Sequence, residues 1–218
     1  MAILHRNDPD REPLVGHAKV TRQDWLNVAR DIFINDGVAE VKILAISEHL
    51  EVSRSSFYWY FKSREDLLDA LLDDWSASNT DTVIDYCERP AKTIGEAVCH
   101  FFQCFMDPKA FNRGLDFAVR EWSRRDIQIR HRIDDADARR LDAVNRMFRS
   151  HGYDEYHADV RSRILYYQQL GYHALEVSEP MSARLARLPG YLEGFTGVPP
   201  TPVEYQAFLE FALQLEPT

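Results

Sequence analysis

Residues 43–68 read ILAISEHLEVSRSSFYWYFKSREDLL, and this stretch decides the fold. Ile43, Ile46 and Leu50 repeat at helical spacing and predict a short helix with one apolar face. Glu51-Val52 is a brief break, after which Ser53 is placed to cap a helix over Arg54 to Tyr60. Ser63-Arg-Glu-Asp66 then has the form of a capping box. It opens a further helix whose apolar stripe is Leu67, Leu68, Leu71, Leu72 and Trp75. Two short helices joined by a tight turn form the helix-turn-helix unit, whose second helix enters the DNA major groove.

The side chains of that second helix suit this use. Phe57 and Phe61 are four apart and are expected in the core. Arg54, Ser55, Ser56, Tyr58, Trp59 and Tyr60 hydrogen-bond or stack, and Lys62 and Arg64 follow. Between Ser53 and Arg64 stand three cations and no acid, in a chain whose formal charge is −9. Cations and hydroxyls bind phosphate oxygens and base edges, and the amides of a helix starting at Ser53 can receive a phosphate. The competing reading of the same residues is a solvated aromatic edge of an all-helical bundle.

Working outward, residues 1–17 carry many charges without a period and read as a flexible tail. Thr21-Arg-Gln-Asp24 resembles a capping box, and Trp25, Val28, Ala29, Ile32 and Phe33 form one helical face that stops at Asn35-Asp36-Gly37, with Gly37 suited to a left-handed C-terminal position. Downstream the periodicity predicts helices over about 94–106, 113–122, up to 150, 155–177 and 203–215. The stretch from Leu188 to Pro202 holds three glycines and four prolines and reads as a long loop or short turns. No strand-like alternation persists. The expected class is all-α: a three-helix helix-turn-helix domain over 18–66, a connecting helix over about 63–78, and a larger helical domain over 79–218.

Composition narrows the function. With 218 residues, 45% of them hydrophobic, the chain can bury a substantial core. No apolar run approaches the ~20 residues of a membrane span, and the N-terminus lacks the apolar stretch of a signal peptide. Cys87, Cys99 and Cys104 are odd in number and form no Cys-x-x-Cys pair, which fits a reducing cytoplasm. His100 and Cys104 are four apart, but no second ligand pair accompanies them, so neither metal nor cofactor is expected. His151 and His157 flank a glycine-containing connection and are expected to be exposed. Arg124, Arg125, Arg130, Arg132, Arg139 and Arg140 alternate with Asp126, Asp134, Asp135, Asp137 and Asp142, as on a solvated helix face. The sequence contains none of the common nucleophile, nucleotide-loop or zinc-protease motifs, so no enzyme is expected.

Residues 21–75 resemble the DNA-binding domain of the tetracycline-repressor (TetR) family. The resemblance rests on the first helix ending at Gly37, on Ile46-Ser47, on Val52-Ser53-Arg54, and above all on Phe57-Tyr58-Trp59-Tyr60-Phe61-Lys62-Ser63-Arg64-Glu65-Asp66-Leu67. It implies a recognition helix around Ser53–Tyr60. Tyr58, Tyr60 and Lys62 would contact the DNA backbone, and Ser55 and Ser56 would fall among the base-reading positions. Three residues depart from the family pattern: Glu51 at a turn glycine, Lys42 at a Ser/Thr helix cap, and Tyr60 at a frequent histidine. Lys42 can itself donate to a phosphate.

The resemblance implies a homodimeric, ligand-responsive regulator, most often a repressor, bound to a palindromic double-stranded DNA operator. A partly apolar or aromatic small-molecule effector would enter the C-terminal domain. Candidate pocket residues are Phe101, Phe102, Phe105, Phe117, Trp122, Tyr166 and His173. Candidate dimer-seam residues are Val160, Ile164, Tyr167, Gly171 and Ala174, with Tyr205, Phe208, Ala212 and Leu215 on the last helix. The alternatives are a helical protein-interaction module without sequence-specific DNA binding and, with less support, a catalytic helical bundle.

Overall fold

The computed structural model describes residues 20–215, so the tail expected over residues 1–17 lies outside the described residues. All regular structure among the described residues is helical, as the sequence predicts. α1 (Arg22–Asp36) starts in a full capping box, with Thr21 accepting from the Asp24 amide while Asp24 accepts the Thr21 N–H at 2.7 Å. It ends at Gly37, but not in the left-handed helical position expected. Gly37 has φ +86° and ψ 170°, an extended positive-φ conformation that essentially only glycine tolerates.

A single 3₁₀ turn (Val38–Glu40) leads to α2 (Ile43–His49), where Ile46 is sealed while Ile43 and Leu50 are half-buried. Glu51 turns the chain at φ +55°. A left-handed residue bearing a Cβ costs roughly 1–2 kcal/mol, which explains why the family pattern places glycine there. The segment Arg54–Trp59 is a 3₁₀ helix, not the α-helix expected, and the Ser53 side chain does not cap it. The Ser53 hydroxyl instead meets that of Ser55 at 2.9 Å.

α3 (Arg64–Trp75) is capped by Ser63 and buries Leu67, Leu68, Leu71, Leu72 and Trp75, the expected stripe. The helix does not stop near residue 78. It passes through a π-helical segment (Ser76–Asp81) into α4 (Thr82–Cys87), and Asn79 is fastened there by donating to the Asn112 carbonyl at 2.9 Å. Then follow α5 (Ile94–Met106), α6 (Arg113–Ser123), α7 (Ile127–Ser150), α8 (Glu155–Ala174), α9 (Met181–Thr196) and α10 (Pro202–Leu215).

The expectation of a loop over 188–202 is corrected by α9, which runs through Pro189, Gly190 and Gly194. Leu185, Leu188, Leu192 and Phe195 are spaced 3-4-3 and all buried. Each such side chain contributes roughly 1.5–3 kcal/mol on burial, which together outweighs ~3 kcal/mol for the internal proline and ~1 kcal/mol for each glycine. The glycines face open space, so they lose no packing. Gly197 then ends the helix at φ +76°.

Two apolar cores result. The first gathers Trp25, Phe33, Phe57, Phe61, Leu71 and Trp75, and takes Leu115 and Val119 from α6 and Ile129, Ile133 and Ala136 from α7. The second joins α4, α5, α7, α8, α9 and α10 around Val98, Phe101, Val144, Phe148, Leu165 and Leu192. Cys87, Cys99 and Cys104 are buried there as free thiols, and burial pushes Cys99 and Cys104 up to about 12. Three surface expectations change. Phe208 and Ala212 of α10 pack inside the chain rather than on an outer seam. Arg140 is fully buried rather than solvated. His151 is half-buried, with Nδ1 2.8 Å from the Met147 carbonyl.

Candidate nucleic-acid interface and apolar pocket

The tip of the first unit stands on an aromatic base. Phe57 meets Trp25 edge-on at 5.3 Å and stacks on Phe61 at 5.4 Å, which fixes the 3₁₀ helix against α1. With Phe57 pointing down, Tyr58 and Trp59 are forced outward and are 53% and 76% exposed. Arg54 and Ser55 are exposed on the same helix, as is Lys62 just after it. Ser56 is half-buried and donates to the Ser53 carbonyl at 2.7 Å. Among the described residues neither Arg54 nor Lys62 forms a salt bridge.

The remaining candidates are more committed. Lys42 pairs with Glu40 at 2.8 Å on an exposed edge, a contact of small worth that a phosphate can replace. The Tyr60 hydroxyl donates to the Val20 carbonyl at 2.6 Å and holds the start of α1. Arg64, the third cation of the sequence patch, donates from Nε to the Val41 carbonyl at 2.7 Å and also to that of Val38. It ties α3 to the α1–α2 connection. Leu44, 57% exposed in the first turn of α2, went unnoticed in the sequence. An apolar residue off the Ile43–Ile46–Leu50 stripe was the available signal.

Between the two cores lies a buried polar junction. Asp116 accepts from Trp75 Nε1 at 2.9 Å, from Arg140 at 2.8 Å and from Arg120 at 2.9 Å. Arg120 also grips Asp137 with both terminal nitrogens, at 2.9 and 2.6 Å, and the Tyr166 hydroxyl donates to Asp137 at 2.7 Å. Burial would push the Asp116 carboxyl up, but Arg140 and Arg120 outweigh it and hold it at about 2. Burial pushes the Tyr166 phenol up.

A pocket opens between α5, α8, α9 and α10. Phe102, Phe105, Leu185, Leu188, Phe195 and Phe208 give it apolar walls, and Gln168, Gln169, Tyr172, Glu179, Arg184 and Tyr191 give it polar ones. Of the residues expected to bind a ligand, Phe102 and Phe105 line it. His173 sits just behind, its ring 5.5 Å from that of Phe105 and its Nε2 2.9 Å from Gln169 Nε2. Burial, reinforced by Arg113, lowers the His173 imidazole to about 4. Phe101 lies beneath, fully buried and 4.9 Å from Phe105, and Tyr166 belongs to the polar junction. Phe117 borders a separate shallow groove with Leu170, Gly171 and Ala174. Trp122 packs edge-on against Phe33 at 5.8 Å in the first core. The polar wall on α8 and α9 escaped the sequence reading because α9 read as a loop. The spacing of Leu185, Leu188, Leu192 and Phe195 was the signal.

Residues 26–71 match the family model described as bacterial regulatory proteins, tetR family. Among solved structures the chain resembles Salmonella enterica GusR at 17% identity, covering 81% of this chain and 95% of that one with a TM-score of 0.59. Mycobacterium smegmatis AmtR matches at 16% identity over 95% of this chain and 100% of that one, with a TM-score of 0.56. A putative TetR-family transcriptional regulator from Mesorhizobium loti matches at 16% identity over 87% and 95%, with a TM-score of 0.54. Identities this low carry the fold alone, and the family match is that of residues 26–71, which are similar to the DNA-binding segment of the tetR family of bacterial regulatory proteins.

Proposed function

We propose that the chain is a cytoplasmic homodimeric repressor that leaves a palindromic operator when a small, partly apolar or aromatic effector fills the C-terminal pocket. The observation that carries the DNA half is the outward projection of Tyr58 and Trp59 from an aromatic base, flanked by Arg54 and Lys62, exposed cations that form no salt bridge among the described residues. In this reading residues 18–66 bind DNA, a helix over about 63–78 connects, and residues 79–218 sense and dimerise. Tyr58 and Lys62 position the protein on phosphates, with Lys42, Ser53 and Tyr60 in support. Arg54, Ser55, Ser56 and Trp59 face the bases.

The dimer reading rests on α8. Tyr156, Val160, Ile164 and Tyr167 are exposed along one face at spacings of three and four, and Ile164 and Tyr167 are each about half exposed. Gly171 continues that face and lets a second helix approach. A two-fold pair would present two recognition units to a palindrome. The effector acts only through its preference between two arrangements of that pair.

The test is selection of bound DNA from a random pool, followed by binding across a salt series and sedimentation of the free protein. Enrichment of a palindrome, a steep salt dependence and a mass near twice 25.4 kDa are expected. A 25.4 kDa species at micromolar concentration, or no enriched sequence, overturns the reading. The latter result favours the protein-interaction alternative.

A further inference from the structure

The pocket's chemistry narrows the effector to a class, and this step rests on the effector reading above. Its apolar walls, Phe102, Phe105, Leu185, Leu188 and Phe195, suit a hydrocarbon or aromatic body. The side where α8 passes into α9 carries charge. Glu179 lines that side but is already engaged. Arg187, which does not line the pocket, pairs with its carboxylate, and the Tyr172 hydroxyl donates to it at 3.3 Å.

Arg184 lines the same side and is not engaged. Its guanidinium carbon stands over the ring of Tyr172, another wall residue, at 5.1 Å. Among the described residues it forms no salt bridge and no side-chain hydrogen bond, and although the residue is half-buried, none of its nitrogens is sealed from solvent. A guanidinium held over an aromatic face is steadied without using its N–H donors, which match a carboxylate two at a time. His173, behind the wall, stays neutral down to about 4. Glu179, Arg187 and Arg184 therefore leave one positive charge uncompensated at this side of the pocket. α9 also starts on this wall, at Met181, with no side-chain cap and no acid in its first turn, and its dipole adds potential of the same sign.

We propose that the pocket takes an amphipathic monocarboxylic acid, with its aliphatic or aromatic body against Phe102, Phe105 and Leu188 and its carboxylate on the guanidinium of Arg184. One uncompensated cation matches one carboxylate. A phosphate monoester brings a charge of about −2, half of which stays unpaired beside apolar walls. An amine meets a charge of its own sign.

The experiment uses the full chain and two acids, 3-phenylpropanoate and octanoate, each beside its primary amide, which has nearly the same shape and no charge. Dissociation constants are read by calorimetry near neutral pH for the wild type, Arg184→Met and Arg184→Lys. The wild type is expected to bind at least one acid about tenfold more tightly than its amide. Arg184→Met should narrow that ratio to within about twofold with an unchanged melting temperature, and Arg184→Lys, which keeps a cation, should still favour the acid. Amides bound as tightly as both acids by the wild type, or an acid preference that survives Arg184→Met, overturn the inference while leaving the pocket standing. Binding of none of the four probes at millimolar concentration overturns the effector-pocket reading itself, and the inference with it.

Discussion

Charged side chains are used in opposite ways at the tip of the first unit and at the junction of α6 and α7. At the tip, Arg54 and Lys62 stay exposed and form no salt bridge among the described residues, beside a tryptophan that is three-quarters open to solvent. At the junction, Arg140 and Asp116 are almost completely buried; Trp75 and Arg120 also donate to Asp116, Arg140 also donates to Thr80, and Asp137 and Tyr166 extend the network. The difference is one of where the partner resides. A charge proposed to meet a polymer outside the chain stays hydrated and cheap to strip. A charge whose partner is internal is dehydrated once, on folding, and becomes expensive to disturb.

The strongest way to break this contrast is Arg140→Leu, which takes from the fully buried Asp116 one of its two arginine partners and leaves it Arg120 and Trp75. A loss of about 3–5 kcal/mol is expected in urea unfolding. Pairing it with Asp116→Asn should recover part of that loss, and additive effects of the two changes would contradict a shared network. A second, smaller effect follows from His173. The folded chain keeps it neutral down to about 4, whereas an unshielded imidazole takes a proton near 6.5. Its folded pKa is depressed, so the unfolded state binds the proton first and stability falls as pH drops from 6.5 toward 4. Unfolding midpoints measured across that window should decline for the wild type and decline less for His173→Gln. The smallest effect on folding belongs to the tip. Lys62→Ala should leave stability within about 0.5 kcal/mol while weakening binding to every DNA sequence alike and lowering the salt slope by about one unit. A normal salt slope in that variant would place Lys62 away from the phosphates.

Much of this contrast was readable in advance at the tip and little of it at the junction. The helix boundaries of the first unit follow from local signals: the Thr21 and Ser63 caps, the glycine after Asp36, and the Leu67–Trp75 stripe. The run from Phe57 to Leu67 carries its own spacing. The 3₁₀ form of Arg54–Trp59 was not legible, because six residues tolerate either helix and packing of Phe57 decides. Nor was the partnership of Arg140 with Asp116, 24 positions apart on different helices. Charge alternation along α7 shows that pairs are available, not which residue turns inward. The pocket was half legible. Phe102 and Phe105 announce themselves on α5, but the opposite wall is a helix that tertiary packing imposes on proline and glycine.

The π-helical segment from Ser76 to Asp81 has a consequence of phase. A helix advances about 100° around its axis with each residue, and a π turn holds one residue more than an α turn. The rod from Arg64 to Cys87 thus presents Leu71, Leu72 and Trp75 to one core and Val83 and Cys87 to the other, with its dial reset between them. In strict α register the second face would be turned by about a quarter of a circle. The angle at which the reading head is mounted on the rest of the protein is therefore set by counting residues, as the thread of a screw sets its pitch.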